Sequence, residues 1–383
     1  MTNRLRAAAL AFAFTLYCAL SLGETIYYLL SITLGLMLLY ALISALLVFF
    51  TLEYSQHLDS KRGERGSAAK LFLNIKHSCP LPVASFGLNL AMPKGDAKAS
   101  ISVSPFKNYG MQFEAPLKHV GLFNFGVKEI VISDIFAFFA IKKQYPRELP
   151  QVLSLPRDFA LEPLVFPEGD DGKAIKNDSG EDISAPEDTR SYRPGDPLKR
   201  IHWKLSVRIG EPIVRRFEVP SPPDTLILVD LQSPEVTGKQ DDEKLRLQDA
   251  VCETALSAAV MQLKENRPVR VPLYGSSLGE YHQDNISTVE ILKEELALEM
   301  FREGISFEEV ISVELNRMQR TGACVLVTTR LNARIVDLAA DIIKTGAKVR
   351  FYYISFEPET LETLPYITRL QHHFVEVCYV TPA

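Results

Sequence analysis

The feature that most constrains this chain is the near absence of charge from its first 52 residues. Only Arg4, Arg6 and Glu24 are ionisable there, whereas about a quarter of the remaining residues are charged. Arg6 and Glu24 bracket 17 uncharged residues, and a second uncharged run extends from Thr25 to Leu52. At about 1.5 Å per residue these runs reach roughly 26 and 42 Å, against a hydrocarbon core of about 30 Å. The first just spans and the second spans with tilt. Gly23, Glu24 and Thr25 alone connect them, which predicts a tight transmembrane hairpin. A basic start followed by an apolar stretch also fits a signal peptide, but an immediate second apolar run does not.

The flanks set the expected orientation. Arg4 and Arg6 precede the first helix, Lys61, Arg62, Arg65 and Lys70 follow the second, and the connection carries no lysine or arginine. The positive-inside rule then puts both termini and the soluble body in the cytoplasm, on the inner membrane. The whole-chain net charge of −5 and apolar content of 47% hide this division into leader and body. A polytopic transporter, a disordered chain and a small disulfide scaffold are excluded. Cys18, Cys79, Cys252, Cys324 and Cys378 are odd in number and widely spaced, which reads as reduced thiols rather than a zinc or disulfide framework.

The body divides by pattern. The anchor is assigned to residues 1–60. Residues 61–160 carry short strand-like runs at 71–75, 86–92, 101–106, 111–117 and 127–133, with a turn at Lys94–Asp96, and predict a β-sandwich-like domain. His77 and His119 stand alone in it and suggest no catalysis. Residues 161–223 form a connecting segment in which Glu168–Asp188 carries a local charge of −6 and Arg190–Arg216 one of +6, with the only tryptophan, Trp203, inside the basic half. Pro194–Pro197 signals a turn, 200–204 the start of a short helix and 212–217 a strand. The adjacent, opposite charges favour intramolecular pairing or a protein partner; the acidic chain as a whole argues against nucleic acid. Residues 224–383 alternate strands (225–230, 269–274, 323–328, 348–354, 374–380) with helices (245–263, 288–302, 306–319, 332–344). That predicts a parallel, Rossmann-like α/β sheet covered on both faces, with Asp230 and Thr328–Thr329 at strand carboxyl ends, where such sheets bind ligands.

Tyr192, Gly195, Asp196, Arg200, Ile201, Trp203, Lys204, Ser206, Arg208 and Gly210 occur in an order that resembles the hallmark of the family known as domain of unknown function 58. The resemblance covers the whole layout and implies a multidomain protein: a membrane hairpin, a β-domain and a von Willebrand factor A-like domain. It also implies a partner role beside a MoxR-type AAA+ ATPase and a transglutaminase-like membrane protein, with Tyr192, Gly195, Asp196, Arg200, Trp203, Lys204, Ser206 and Arg208 as the motif surface. Where that family tends to have Asp-Pro-Phe-Gly-Leu-Phe, this chain has Asp134-Ile135-Phe136-Ala137-Phe138-Phe139, which removes the glycine a turn would use.

A von Willebrand factor A domain often holds Mg²⁺ through Asp-x-Ser-x-Ser with oxygen ligands from other loops. Here Asp230 is followed by Gln232 and Pro234 at the serine positions, and Thr328–Thr329 stands where an aspartate is expected. The expectation is therefore no metal, no cofactor and a non-enzymatic scaffold or adaptor. No Walker loop, zincin, nucleophile-elbow or dinucleotide signature occurs. An anionic lipid- or phosphate-binding module built on the basic motif is the alternative, and a hydrolase using Asp196 or His202 the remoter one.

Overall fold

The computed structural model describes residues 3–80, 83–102, 104–144, 148–162, 188–192, 201–216, 224–234, 241–274, 278–299, 301, 305–318 and 321–382. The chain divides into two compact units, Met1–Pro156 and Arg157–Ala383.

The first unit begins with α1 (Asn3–Leu22) and α2 (Thr25–Thr51), both long and apolar enough to cross a membrane. Gly23, at φ +67°, turns the chain between them and donates its N–H to the Ala19 carbonyl at 3.2 Å. A residue with a Cβ would be strained in that conformation. The helices run antiparallel. The Phe12 ring lies against Gly35, where a Cβ would come within 3.2 Å of it, so the missing side chain lets α2 accept the aromatic. Most other large apolar side chains of both helices point outward.

No loop separates α2 from the domain that follows. Strand β1 (Leu52–Leu58) starts on the next residue, inside the span assigned to the anchor. Lys143 fixes this junction, donating from Nζ to the carbonyls of Phe49 at 2.8 Å and Leu52 at 2.5 Å, with its ammonium 5.4 Å from the Phe49 ring. These carbonyls lie at the helix C-terminus, where a cation is favoured. Burial holds the Lys143 ammonium below the usual lysine range, and the Glu53 carboxylate partly offsets it.

The remaining strands are β2 (Arg62–Glu64), β3 (Ala68–His77), β4 (Val83–Met92), β5 (Gly95–Ile101), β6 (Asn108–Pro116), β7 (Gly121–Asn124), β8 (Gly126–Asp134), β9 (Ala140–Gln144) and β10 (Gln151–Leu155). They form sheets ordered β1-β3-β6, β5-β4-β8-β9 and β2-β10-β7. Leu71, Leu73 and Ile75 of β3 and Phe86, Leu88 and Leu90 of β4 alternate inward and meet in one core with Ile130, Ile132 and Val48 of α2. The strand expected at 101–106 is misplaced. Gly95 already opens β5 at φ +124°, and the chain leaves the sheet after Ile101, with Phe106 left-handed at φ +57° next to Pro105.

The turn at 135–139 forms without glycine. Ala137 takes φ +56°, and the buried Asp134 carboxylate accepts the N–H groups of Phe136 at 2.9 Å and Phe139 at 2.6 Å. The aspartate thus supplies the organisation that the missing glycine would have made easy.

The second unit contains β11 (Asp188–Ser191), α3 (Trp203–Ile209), β12 (Ile213–Arg216), β13 (Asp224–Val229), α4 (Asp241–Lys264), β14 (Val269–Tyr274), β15 (Leu278–Gln283), α5 (Val289–Leu298), α6 (Phe307–Leu315), β16 (Thr321–Thr328), α7 (Ala333–Lys344), β17 (Lys348–Ile354), α8 (Leu364–His372) and β18 (Glu376–Val380). Its main sheet has the order β15-β14-β13-β16-β17-β18. All neighbours are parallel except β15, an antiparallel edge formed by a hairpin from β14. The sheet is therefore mixed where an all-parallel one was expected. Leu226, Leu228, Cys324, Leu326, Val349 and Phe351 share a core with α6 and α7 on one face. Helix α4, almost wholly buried from Leu247 to Leu263, packs against β13, β14, β16 and β17. Strand β13 is buried from Thr225 to Val229 because both faces are covered. At the far edge Arg350 makes two 2.8 Å bonds to Glu376 directly across from it on β18, and donates to the Glu162 carbonyl.

All five cysteines are unpaired thiols, and burial pushes those of Cys252 and Cys324 far above the normal thiol range. That keeps them protonated and unreactive.

Candidate functional site

Two places in the second unit carry the residues singled out from the sequence. The first is the basic motif. Strands β11 and β12 pair antiparallel from Asp188–Arg216 to Ser191–Ile213, and the Tyr192 N–H extends the ladder to the Pro212 carbonyl at 2.8 Å. Ile201 bridges Val214, and the His202 N–H reaches the Ile213 carbonyl at 2.8 Å. The chain then turns into α3. His202 caps it, Nδ1 accepting from the Leu205 N–H at 3.2 Å. Gly210 ends it at φ +84° and donates to the Ser206 carbonyl at 2.8 Å.

Ser206 ties helix to strand. Its buried hydroxyl donates to the His202 carbonyl at 3.0 Å and accepts the Ile213 N–H at 2.8 Å. Ile201, Ser206 and Ile213 therefore face inward. The opposite side of α3 is open to solvent: Trp203 is 64% and Val207 82% exposed, and Lys204 and Arg208 are exposed beside them. Trp203–Val207 and Lys204–Arg208 are each four residues apart, so the helix presents an apolar stripe flanked by a cationic one. Trp203 is thus not a wedge in the fold. Gly195, Asp196 and Arg200, with the acidic residues 168–187, lie outside the described residues.

The second place is the point where the sheet order reverses, between β13 and β16. Asp230 follows β13 and is buried. Its Oδ2 accepts from the Thr328 hydroxyl at 2.7 Å, and its Oδ1 from the Gln232 N–H at 3.0 Å. Arg330, which the sequence reading missed, sets Nη1 3.4 Å from both carboxylate oxygens and donates from Nη2 to the Ser233 carbonyl at 2.5 Å. Thr328 Oγ1 also accepts the Arg330 N–H at 2.9 Å. A guanidinium thus supplies positive charge beside the buried carboxylate. Burial is the foremost influence on Asp230 and raises its carboxyl above the usual range; the Thr328 hydroxyl, Arg330 and the Gln232 N–H pull it down. Among the described residues, no group of three His, Cys, Asp or Glu side chains could hold a metal ion. Asp230 is here a turn-forming acceptor paired with Arg330.

Residues 188–277, from β11 through β14, match the profile of the family described as protein of unknown function DUF58. No curated protein matches the chain. Among solved structures it is similar to Cwp6 from Clostridium difficile, at 10% identity over 86% of this chain and 53% of that one, with a TM-score of 0.19. It is also similar to a GH20 exo-β-N-acetylglucosaminidase from Vibrio harveyi, at 9% identity over 84% and 59%, with a TM-score of 0.20. The chain spans little more than half the length of either, and scores at this level carry no argument about fold or function. The matched segment includes Ser206, which ties α3 to β12, and the exposed face of α3.

Proposed function

We propose that this protein is a membrane-anchored, non-enzymatic adaptor that engages a protein partner through the exposed face of α3. The observation that carries this reading is the division of labour within one short helix. His202, Ser206 and Gly210 spend their hydrogen bonds on holding α3 to β12, while Trp203 and Val207 face water with Lys204 and Arg208 alongside. Exposing a tryptophan on a firmly held element costs hydrophobic free energy that a partner's pocket recovers, and tryptophan and arginine are typical interface anchors.

Two apolar helices at the N-terminus support the anchor, and the positive flanks support a cytoplasmic body. The finer reading of the second unit is a von Willebrand factor A-like domain. It rests on a doubly wound sheet whose strands, numbered in chain order within it, run 3-2-1-4-5-6. Arg330 in the place of a cation makes its recognition metal-independent. By family resemblance the partner is a MoxR-type AAA+ ATPase in a chaperone or assembly role, alongside a transglutaminase-like membrane protein.

Co-purification of the full-length chain from membranes tests the reading, with Trp203→Ala beside the wild type. A folded variant that loses an AAA+ ATPase supports it. Unchanged co-purification contradicts it.

A further inference from the structure

Three loops of the β-domain converge at the end where α2 enters it. Leu52 pairs with His77, so β3 finishes at that end. β4 begins just beyond, and its first residue, Val83, pairs with Asp134, which brings the 135–139 turn there. The His77 N–H bonds the Lys107 carbonyl at 3.2 Å and Lys76 pairs with Asn108, which adds residues 104–107 ahead of β6. The β4–β5 turn at Pro93–Lys94 lies at the opposite end, about 30 Å along β4.

The converging loops are apolar at their tips. Phe106 is 69% and Ile135 45% exposed, and the half-buried rings of Phe136 and Phe138 stack at 5.6 Å. Exposed cations lie at the same end: Lys76 and Lys107 and, at the start of the antiparallel α1, Arg4 and Arg6. The nearby acids are Glu53, 3.9 Å from Lys76, and Asp134, whose carboxylate is engaged by two N–H groups of its own turn. Lys142 is taken up by Glu129 at 2.9 Å, and Lys143 by the end of α2.

The helix length sets the level of this end. About 20 residues cross a hydrocarbon core, so α2, counted from Thr25, leaves it near Ala45. Val48 is already in the β-domain core. The domain therefore begins where the acyl chains end.

We propose that this end of the β-domain is seated in the membrane interface. Phe106, Ile135, Phe136 and Phe138 enter the acyl–headgroup boundary, while Lys76, Lys107, Arg4 and Arg6 meet anionic headgroups. Continuity with α2 and the complementary charge commit the surface to lipid rather than to a second copy or another protein. The inference rests on α1 and α2 spanning the bilayer, and it fixes the β-domain upright on the membrane.

Tryptophan quenching by brominated lipids tests it on the full-length chain. Trp203→Phe removes the native fluorophore, and single reporters are placed by Phe106→Trp, Phe136→Trp, Leu36→Trp and Lys94→Trp. The proteins are reconstituted in phosphatidylcholine vesicles containing phosphatidylglycerol, brominated at shallow or deep acyl positions. The expected result is deep quenching of the position-36 reporter, shallow quenching of those at 106 and 136, and none at 94. Quenching at 36 without quenching at 106 and 136 overturns the proposal and leaves the anchor standing. Equal quenching at 94 overturns the upright seating. No quenching at 36 overturns the anchor, and the proposal with it.

Discussion

Arg330 meets Asp230 with Nη1 3.4 Å from both carboxylate oxygens, one hundred residues apart in sequence and both beside the point where the sheet order reverses. Removing the cation by Arg330→Met leaves a buried carboxylate without it, and should cost about 3–5 kcal/mol at neutral pH. The sign with pH follows from burial, which already raises Asp230 and would raise it further in the variant. A carboxyl raised on folding favours the native state below its unfolded value and loses that contribution as pH rises through the folded value. The gap between wild type and variant should therefore be small near about pH 4 and widen towards neutrality. Urea unfolding of the detergent-solubilised chain across that range checks this, and a pH-independent gap would count against it.

Divalent cations meet the same arrangement. Calorimetric titration of the chain with Mg²⁺ or Mn²⁺ should give no saturable heat, because the Arg330 guanidinium already pairs with Asp230 and Pro234 offers no side-chain oxygen. A tight site abolished by Asp230→Ala would show that the guanidinium swings aside.

In the β8–β9 turn, Ala137→Gly should stabilise by about 0.5–1 kcal/mol, since a left-handed residue with a Cβ is strained. Asp134→Ala should destabilise by about 2–3 kcal/mol, because two N–H groups lose a buried charged acceptor. Paired unfolding midpoints of the two variants decide it; equal and opposite signs to these would mean the turn is held by something other than Asp134.

The junction between membrane helix and β-domain depends on Lys143. Lys143→Met keeps the packing on Phe49 but gives up the bonds to the Phe49 and Leu52 carbonyls, and should cost about 1–3 kcal/mol. Hydrogen exchange should rise at the end of α2 and the start of β1 ahead of the rest of the domain. Unchanged protection there would assign the junction to packing alone.

What the sequence made legible follows from where one force dominated. β17 was read at its true bounds because KVRFYYI is nearly continuously buried between polar flanks. The helical hairpin was legible because a charge-free run has few other uses. β15 was missed: LGEYHQ is a polar edge strand whose existence depends on β14 beside it. So was α8, a short helix whose inward residues are only Ile367 and Leu370. The α2–β1 continuity is hidden because LEYSQHL gains its strand character from pairing with β3. At the sites, the motif gave the candidate residues but not their division into Ser206 facing in and Trp203 facing out. Arg330 sits two residues past a strand end, with no local signal of the distant carboxylate it meets.

The central claim is that the outward face of α3 binds and its inward face only supports. Trp203→Ala and Ser206→Ala, compared for unfolding midpoint and for proteins co-purifying from membranes, test it most directly. Trp203→Ala should shift stability by less than about 0.5 kcal/mol yet lose the partner. Ser206→Ala should cost about 1–3 kcal/mol, because the Ile213 N–H is left without its acceptor. A Trp203→Ala protein destabilised by about 3–5 kcal/mol, the cost of emptying a core position, or one that keeps every partner, would contradict the account.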